Sequence, residues 1–547
     1  MKKIITLLGL FFLLQNSYAN NVVISNVSLV NNGGNNVFVQ FDVSWENSWR
    51  ILNGPANYDG VWLYFKYKTA TGSWTHLNLN PSTTADLIPA GFSYWRSPYG
   101  SVLHRSASNL GIGNISATGI RLAVNSTVPY NIELRAFAVE MVYIPASSVV
   151  NGNGVALGDG DGISPESTSA FHKQGFNLYA ATGVGFSGLD FISVDVNAFD
   201  DAEIEEPNSF TIANASGDGI QNLTINNNFF PVSSAIWCMK YEVTQGAYRD
   251  FLNTLTLTQQ ITRTAISPTL ALGTGALTTS GSGRNFLEIR SSSTIGLPAT
   301  YGCDASGNNI YDEANDGEFV ACNFLSWPDL AAWLDWAGLA PMTEIQFERI
   351  CRGHTSAGFN VPVTGEFAWG STTISANILS LATPFTTTET VSNSSVVLGN
   401  ANYGSLATGP LRNGIFATAS SSRITSGSSF FGAMEMSGNL SEVCVNVGNV
   451  AGRSFNRTGV TNSSIGDGII SFNGNAIANY WPGNTGLPVS QTNVDTEVTS
   501  AAGTIRRGGD FAIGATKLRV SDRSDGSASF TRVIFQGGRG VIVLAMY

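Results

Sequence analysis

Pro341-Met342-Thr343-Glu344-Ile345-Gln346-Phe347-Glu348, followed by Arg352 and Gly353, is the stretch that decides the fold. Thr343 and Gln346 have the spacing of a capping box, in which the hydroxyl takes a helix amide and the carboxamide returns to the cap. Gly353 supplies the stop, so a helix is predicted between them. Towards the N-terminus, Ser326 caps a second helix with Pro328 and Asp329 in its first turn and Leu330, Trp333, Leu334 and Ala337 as its buried stripe. Thr244 caps another that runs through Leu255, with Ala247, Tyr248, Phe251, Leu252 and Leu255 on one face. From 354 to 500 Gly and Ser dominate, regular structure thins out, and no fixed-period repeat is found.

Between Asn21 and Glu140 the period changes to two. Val37, Val39, Phe41 and Val43 alternate with Phe38, Gln40, Asp42 and Ser44, and Val61 to Lys68 and Ile132 to Met141 are rich in β-branched and aromatic residues. Turn clusters at Asn31 to Asn36 and Asn53 to Asp59 separate them, which predicts an antiparallel β-sandwich. Trp45, Trp49, Trp95 and Tyr99 could stack on sugar rings or pack in the core. The stretch from Val150 to Asn227 reads as loops and a few strands, with acidic positions at Asp159 and Asp161 and at Asp200, Asp201, Glu203, Glu205 and Glu206. Such runs are usually solvated, though the first could bind a hard cation.

Lys2 and Lys3, the apolar run Ile4 to Leu14, and small residues at Ser17 and Ala19 have the layout of a secretory signal over 1–20. The expected location is therefore secreted, periplasmic or cell-surface. That run is too short to cross a bilayer and no later apolar run reaches about 20 residues, so no membrane span is expected. Apolar residues make up 43% of the chain, enough for real cores, while only 12% are charged, so Asn, Ser, Thr and Gly cover the surface. Removing the two leader lysines takes the formal charge from −11 to −13, which disfavours nucleic acid and anionic membranes as partners. Of five cysteines, Cys303 and Cys322 bracket one polar loop and are either a disulfide or two buried thiols; Cys238, Cys351 and Cys444 lie in apolar segments and read as inert.

The helices come with specific neighbours. Met141-Val142-Tyr143-Ile144-Pro145, Met239-Lys240-Tyr241-Glu242-Val243-Thr244, Pro341 to Glu348, Glu435-Met436-Ser437-Gly438-Asn439-Leu440-Ser441-Glu442, Arg506-Arg507-Gly508-Gly509, Arg519 to Arg523 and Gly537-Gly538-Arg539-Gly540 follow one another in order. Together they resemble the formylglycine-generating enzyme family, also called the sulfatase-modifying factor family. The resemblance implies an α+β, C-type-lectin-like formylglycine-generating-enzyme fold over 138–547 with long loop insertions, preceded by the β-sandwich at 21–137.

Enzymes of that family hold copper between two thiolates, and soft Cu(I) wants sulfur. The positions that would carry those thiols are Ile513 and Leu518, and no cysteine follows Cys444. Copper and the oxidase reaction are thus not expected, nor is the iron chemistry of His-rich relatives, since His76, His104, His172 and His354 are scattered. The resemblance implies calcium instead, at Gly438, Leu440 and Glu442 and at Asn402 and Tyr403, with Asn413 and Ile415 as further partners; alternatively, Glu442 merely satisfies backbone donors. The two tryptophans usual in that block are replaced by Ser441 and Val443. From the residues alone, Asp304, Ser306, Asn308, Asp312 and Asp316 offer a calcium-like or simply solvated loop.

A kept scaffold without its thiols suggests a pseudoenzyme: an exported, non-catalytic binding or structural protein, with a protein or glycan ligand expected at a groove of Asp510, Phe511, Ala512, Ile513, Asp525, Phe530 and Arg532, unless these residues serve packing. A formylglycine-generating-type oxidase, or a component of a bacterial surface or motility assembly, is the alternative.

Overall fold

Val61-Trp62-Leu63-Tyr64-Phe65 is apolar on both sides of a strand, which demands cover on both faces. The computed structural model describes residues 21–146 and 235–544, together with short strands at 155–157, 176–179 and 193–194. Positions 32–36, 53–54, 83, 126–127, 130, 295, 354–362, 364, 405–408, 447–449, 454, 456–464, 479, 485–496 and 523–529 are outside that description. The expected leader, the acidic positions at 159, 161 and 200–206, and Asp525 therefore lie outside the described residues.

The N-terminal strands are β1 (Val23–Asn31), β2 (Val37–Arg50), β3 (Tyr58–Thr69), β4 (Thr75–His76), β5 (Phe92–Ser97), β6 (Gly100–Arg105), β7 (Asn109–Ala123) and β8 (Ile132–Ile144). After β9 (Val155–Leu157), β10 (Phe176–Tyr179) and β11 (Ser193–Val194) come β12 (Ile236–Met239), β13 (Leu287–Ser291), β14 (Thr300–Cys303), β15 (Ala340–Pro341), β16 (Leu381–Ala382), β17 (Thr390–Val391), β18 (Ser441–Val445), β19 (Thr504–Arg507), β20 (Gln536–Gly537) and β21 (Gly540–Val543). With few helices among mostly antiparallel sheets, the architecture is α+β.

One sheet runs through both parts of the chain in the order β1-β2-β3-β8-β12-β21-β15. β8 pairs with β3 from Ile132 to Tyr143 and with β12 from Met141 to Ile144, so the boundary expected between 137 and 138 falls inside a strand. The strand alternation then sorts side chains into two cores. Val61, Leu63, Phe65, Ala136 and Ala138 face the N-terminal core with Val39, Phe41 and Leu122. Trp62, Tyr64, Phe137, Val139 and Met141 face the other, against Trp237, Trp333 and Trp336. Trp45 and Tyr99 are buried and Trp49 and Trp95 are half-buried against the C-terminal core, so packing accounts for the four candidate stacking residues.

Helices α1 (Gln245–Leu252), α3 (Trp327–Trp336) and α4 (Glu344–Arg352) cover that second face, and α2 (Leu257–Arg263) is tied to α1 through Gln260 Nε2 to Leu252 O and Tyr248 Oη to Arg263 O. Thr244, Ser326 and Thr343 cap α1, α3 and α4 as the sequence predicts, and Gly353 closes α4. The first helix ends at Leu252, short of Leu255, because Thr256 and Gln259 form their own capping box and start α2. β3 also anchors α3: Trp62 Nε1 donates to Ala337 O at 2.8 Å and Lys66 Nζ to Trp336 O at 2.7 Å, serving carbonyls at the helix C-terminus. The disulfide reading of Cys303 and Cys322 is corrected: both are free, buried thiols, and the Cys322 thiol donates to Asn323 O. Among the described residues no helix is long and apolar enough to cross a membrane.

Trp62→Ala removes a fully buried ring and its hydrogen bond at the shared sheet. Urea denaturation is expected to show a loss of about 3–5 kcal/mol. A loss under about 1 kcal/mol, within the range of ordinary surface substitutions, would refute the two-faced role of β3.

Candidate functional site

The sequence blocks meet one another in the interior. Arg507, from the block before Gly508-Gly509, donates to Glu344 at 3.1 Å and to Glu348 at 3.0 Å on α4. Arg352 bonds Glu348 and Glu366 from the same helix. Glu242, just after β12, accepts Asn439 Nδ2 at 2.5 Å and the Leu440 amide at 2.9 Å. Arg539 grips Glu442 on β18.

The turn from Glu435 to Asn439 needs unusual backbone. Glu435 (φ 56), Gly438 (φ 91) and Asn439 (φ 68) are all left-handed, a region that favours Gly and Asn. A Cβ on Gly438 would stand 2.6 Å from Asn402 O, so the second expected calcium segment lies directly against the turn. Asn439 N donates to Asn402 O at 2.9 Å, and Asn402 Nδ2 to Asn439 Oδ1 at 3.2 Å and Gly409 O at 2.9 Å. Beside this contact is a narrow cleft lined by Asn400, Asn402, Arg412, Glu435, Ser437 and Asn439 together with the apolar Ala401, Ile415 and Phe416.

Three carboxylates crowd this region around one guanidinium. Burial, reinforced by Glu442 and Glu435, holds Glu242 well above the usual carboxylate range. Burial pushes Glu435 up to about 7 against the pull of Arg539. Glu442 is also raised by burial, with Arg539 opposing. Glu435 Oε1 accepts the Gly414 amide at 2.7 Å, while its Oε2 is buried without a hydrogen-bond partner.

The expected calcium ligands fare differently. Both oxygens of Glu442 are taken by Arg539, each at 2.8 Å from Nε, so this carboxylate satisfies a buried side chain and the set with Gly438 and Leu440 does not fit calcium. Tyr403 is half-buried in an apolar cluster and its hydroxyl donates to Ser375 O at 2.7 Å. Asn413 Nδ2 donates to Glu242 O at 2.7 Å, and Ile415 is buried on the cleft wall. The acidic loop bonds to itself: Asp304 accepts the amides of Asn308 and Asn309, Asp316 those of Ser306 and Glu313, and Asp312 pairs with Arg249. Among the described residues no group of three or more His, Cys, Asp or Glu is placed to hold a metal.

The described members of the expected ligand groove do not form one exposed face. Phe511 is fully buried against Ala321 and Leu440, beneath the Asn439 turn, whose carbonyl accepts its amide at 3.0 Å. Asp510 is buried too, accepting Ser441 Oγ at 3.1 Å and the Ala512 amide at 2.8 Å. Ala512 and Ile513 are half-buried. Arg532 bonds Asp329 on α3 and Thr262 O on α2, each at 2.8 Å, and only Phe530 is well exposed, at 67%. The two positions that would carry copper thiolates, Ile513 and Leu518, share one apolar cluster with Phe367 and Trp369, and Leu518 is fully buried. All five thiols sit elsewhere in the core; burial pushes Cys238 up to about 12 and keeps the other four well above the ordinary range.

Sequence reasoning missed Arg539 as the partner of Glu442 and Glu242 as the acceptor for the Asn439 turn. The pairing of an isolated acidic block with an isolated basic one was the available signal. In comparisons with known proteins the chain matches no family model and no curated sequence.

Glu435→Gln keeps the acceptor for Gly414 and removes the charge. A carboxyl raised in the folded state contributes stability below its unfolded value, near 4.5, and loses it as pH rises through about 7. The variant is therefore expected to melt with the wild type at pH 4.5 and to be more stable at pH 8 by on the order of 1–3 kcal/mol. An equal difference at both pH values would contradict this.

Proposed function

We propose that the chain is an exported, non-catalytic binding or structural protein built on a C-type-lectin-like scaffold of the formylglycine-generating type. Support for the scaffold is the order of the blocks and their mutual burial, in which Glu344, Glu348, Glu242 and Glu442 are each engaged by another block. One observation supports a non-catalytic reading: Ile513 and Leu518, the positions at which the resemblance would put paired thiolates, are hydrocarbon in one packed cluster. Hydrocarbon neither coordinates Cu(I) nor transfers electrons.

The surface that favours binding lies around α2. Ile261 on that helix is 59% exposed, and α2 is tied to the segments bearing Phe530 and Phe472, which are 67% and 78% exposed, through Arg532 to Thr262 and Gln259 to Ser471. Large apolar side chains exposed on neighbouring segments are candidates for a contact surface. A protein or glycan ligand, or a neighbour in a surface assembly, would be met there.

The test is incubation of the mature protein with Cu(I), oxygen and a cysteine-containing sulfatase peptide. No stoichiometric copper uptake and no aldehyde product by hydrazide labelling are expected. Aldehyde formed in proportion to enzyme would sink the proposal.

A further inference from the structure

Arg539 is set in a shell of oxygen acceptors, with the Cys238 thiol also against it. Its Nε reaches both carboxylate oxygens of Glu442 at 2.8 Å, and Nη2 reaches Glu442 Oε1 and Met434 O, both at 2.6 Å. Nη1 divides between Met239 O and Lys240 O at 3.1 Å each. One carboxylate and three backbone carbonyls thus surround a single positive group, the kind of donor set that a hard divalent cation also seeks. Every guanidinium nitrogen has a partner, as a buried arginine requires. We infer that Arg539 is the resident cation of the Glu435 to Glu442 turn, and that it occupies the place a calcium ion would otherwise take.

The backbone fixes this occupant. Val243 N donates to Gly538 O at 2.9 Å, a Cβ on Gly538 would stand 2.5 Å from the Leu330 side chain, and Gly540 pairs with Pro341. Arg539 is itself fully buried, so it has no route by which to swing into water and vacate Glu442. A metal arriving at Glu442 would leave a desolvated guanidinium without its carboxylate, and an uncompensated buried charge is strongly destabilising. Of the neighbouring carboxylates, Glu242 is engaged by Asn439 and Leu440 and Glu435 Oε1 by Gly414, while Glu435 Oε2 has no hydrogen-bond partner.

The inference rests on the contacts of Arg539 and would survive failure of the family reading. Its test uses the mature full chain. In equilibrium dialysis against radioactive calcium, any uptake is expected to be the same for wild type and Glu442→Gln; one equivalent bound by wild type and lost in Glu442→Gln would overturn the inference. Melting of Arg539→Met and of Arg539→Met combined with Glu442→Gln guards against misfolding of the single carboxamide variant. The single arginine variant is expected to melt lower by about 5 °C or more, and the double variant to regain part of that loss because the stranded carboxylate is gone. A single variant that melts like wild type, or a loss that the second substitution leaves undiminished, would also overturn it.

Discussion

The contact between Arg539 and Glu442 joins the residue before the last strand to β18, and the polar interior is arranged around it. Burying a charged pair is expensive, and such pairs fix an arrangement more surely than they stabilise it. Here the guanidinium also collects the carbonyls of Met239, Lys240 and Met434, so one side chain sets the spacing of its own segment and two others distant in sequence. Arg507 does the same for α4 through Glu344 and Glu348, and Asp329 ties α3 to Arg263 and Arg532. Residues that read as a functional signature in the sequence act in the fold as joints between irregular segments.

Those joints hold because the shared sheet presents them with a continuous floor. Strands β3 and β8 send alternate side chains into two cores, and β12 and β21 extend the same sheet into the region that carries the blocks. Loops cannot be buried without partners for their backbone groups. Asn439, Asn402 and Asn400 supply many of those partners, which is why a region poor in helix and strand is nevertheless well packed around the cleft.

Local features were legible in the sequence. The caps at Thr244, Ser326 and Thr343 depend on residues three apart, and all three helices begin where those residues place them. The start of α2 was equally legible from Thr256 and Gln259, but an apolar face continuing to Leu255 hid the break. Strands were found, while their sharing was not: the unbroken run Val61 to Phe65 signals cover on two faces, and only the partner strands reveal that the second cover lies beyond residue 235. At the site, the Glu435 to Glu442 block was singled out by resemblance, but its left-handed turn at Glu435, Gly438 and Asn439 was not read from the sequence. Its cation was hidden because Arg539 is 97 positions from Glu442 and acts through tertiary contact alone.

The most direct measurement is a crystal structure of the mature protein grown with calcium and soaked in a lanthanide, with anomalous scattering recorded. The account expects the guanidinium of Arg539 in place on Glu442 and no anomalous peak within coordinating distance of that carboxylate. A peak bound to Glu442, with Arg539 turned away, would contradict it.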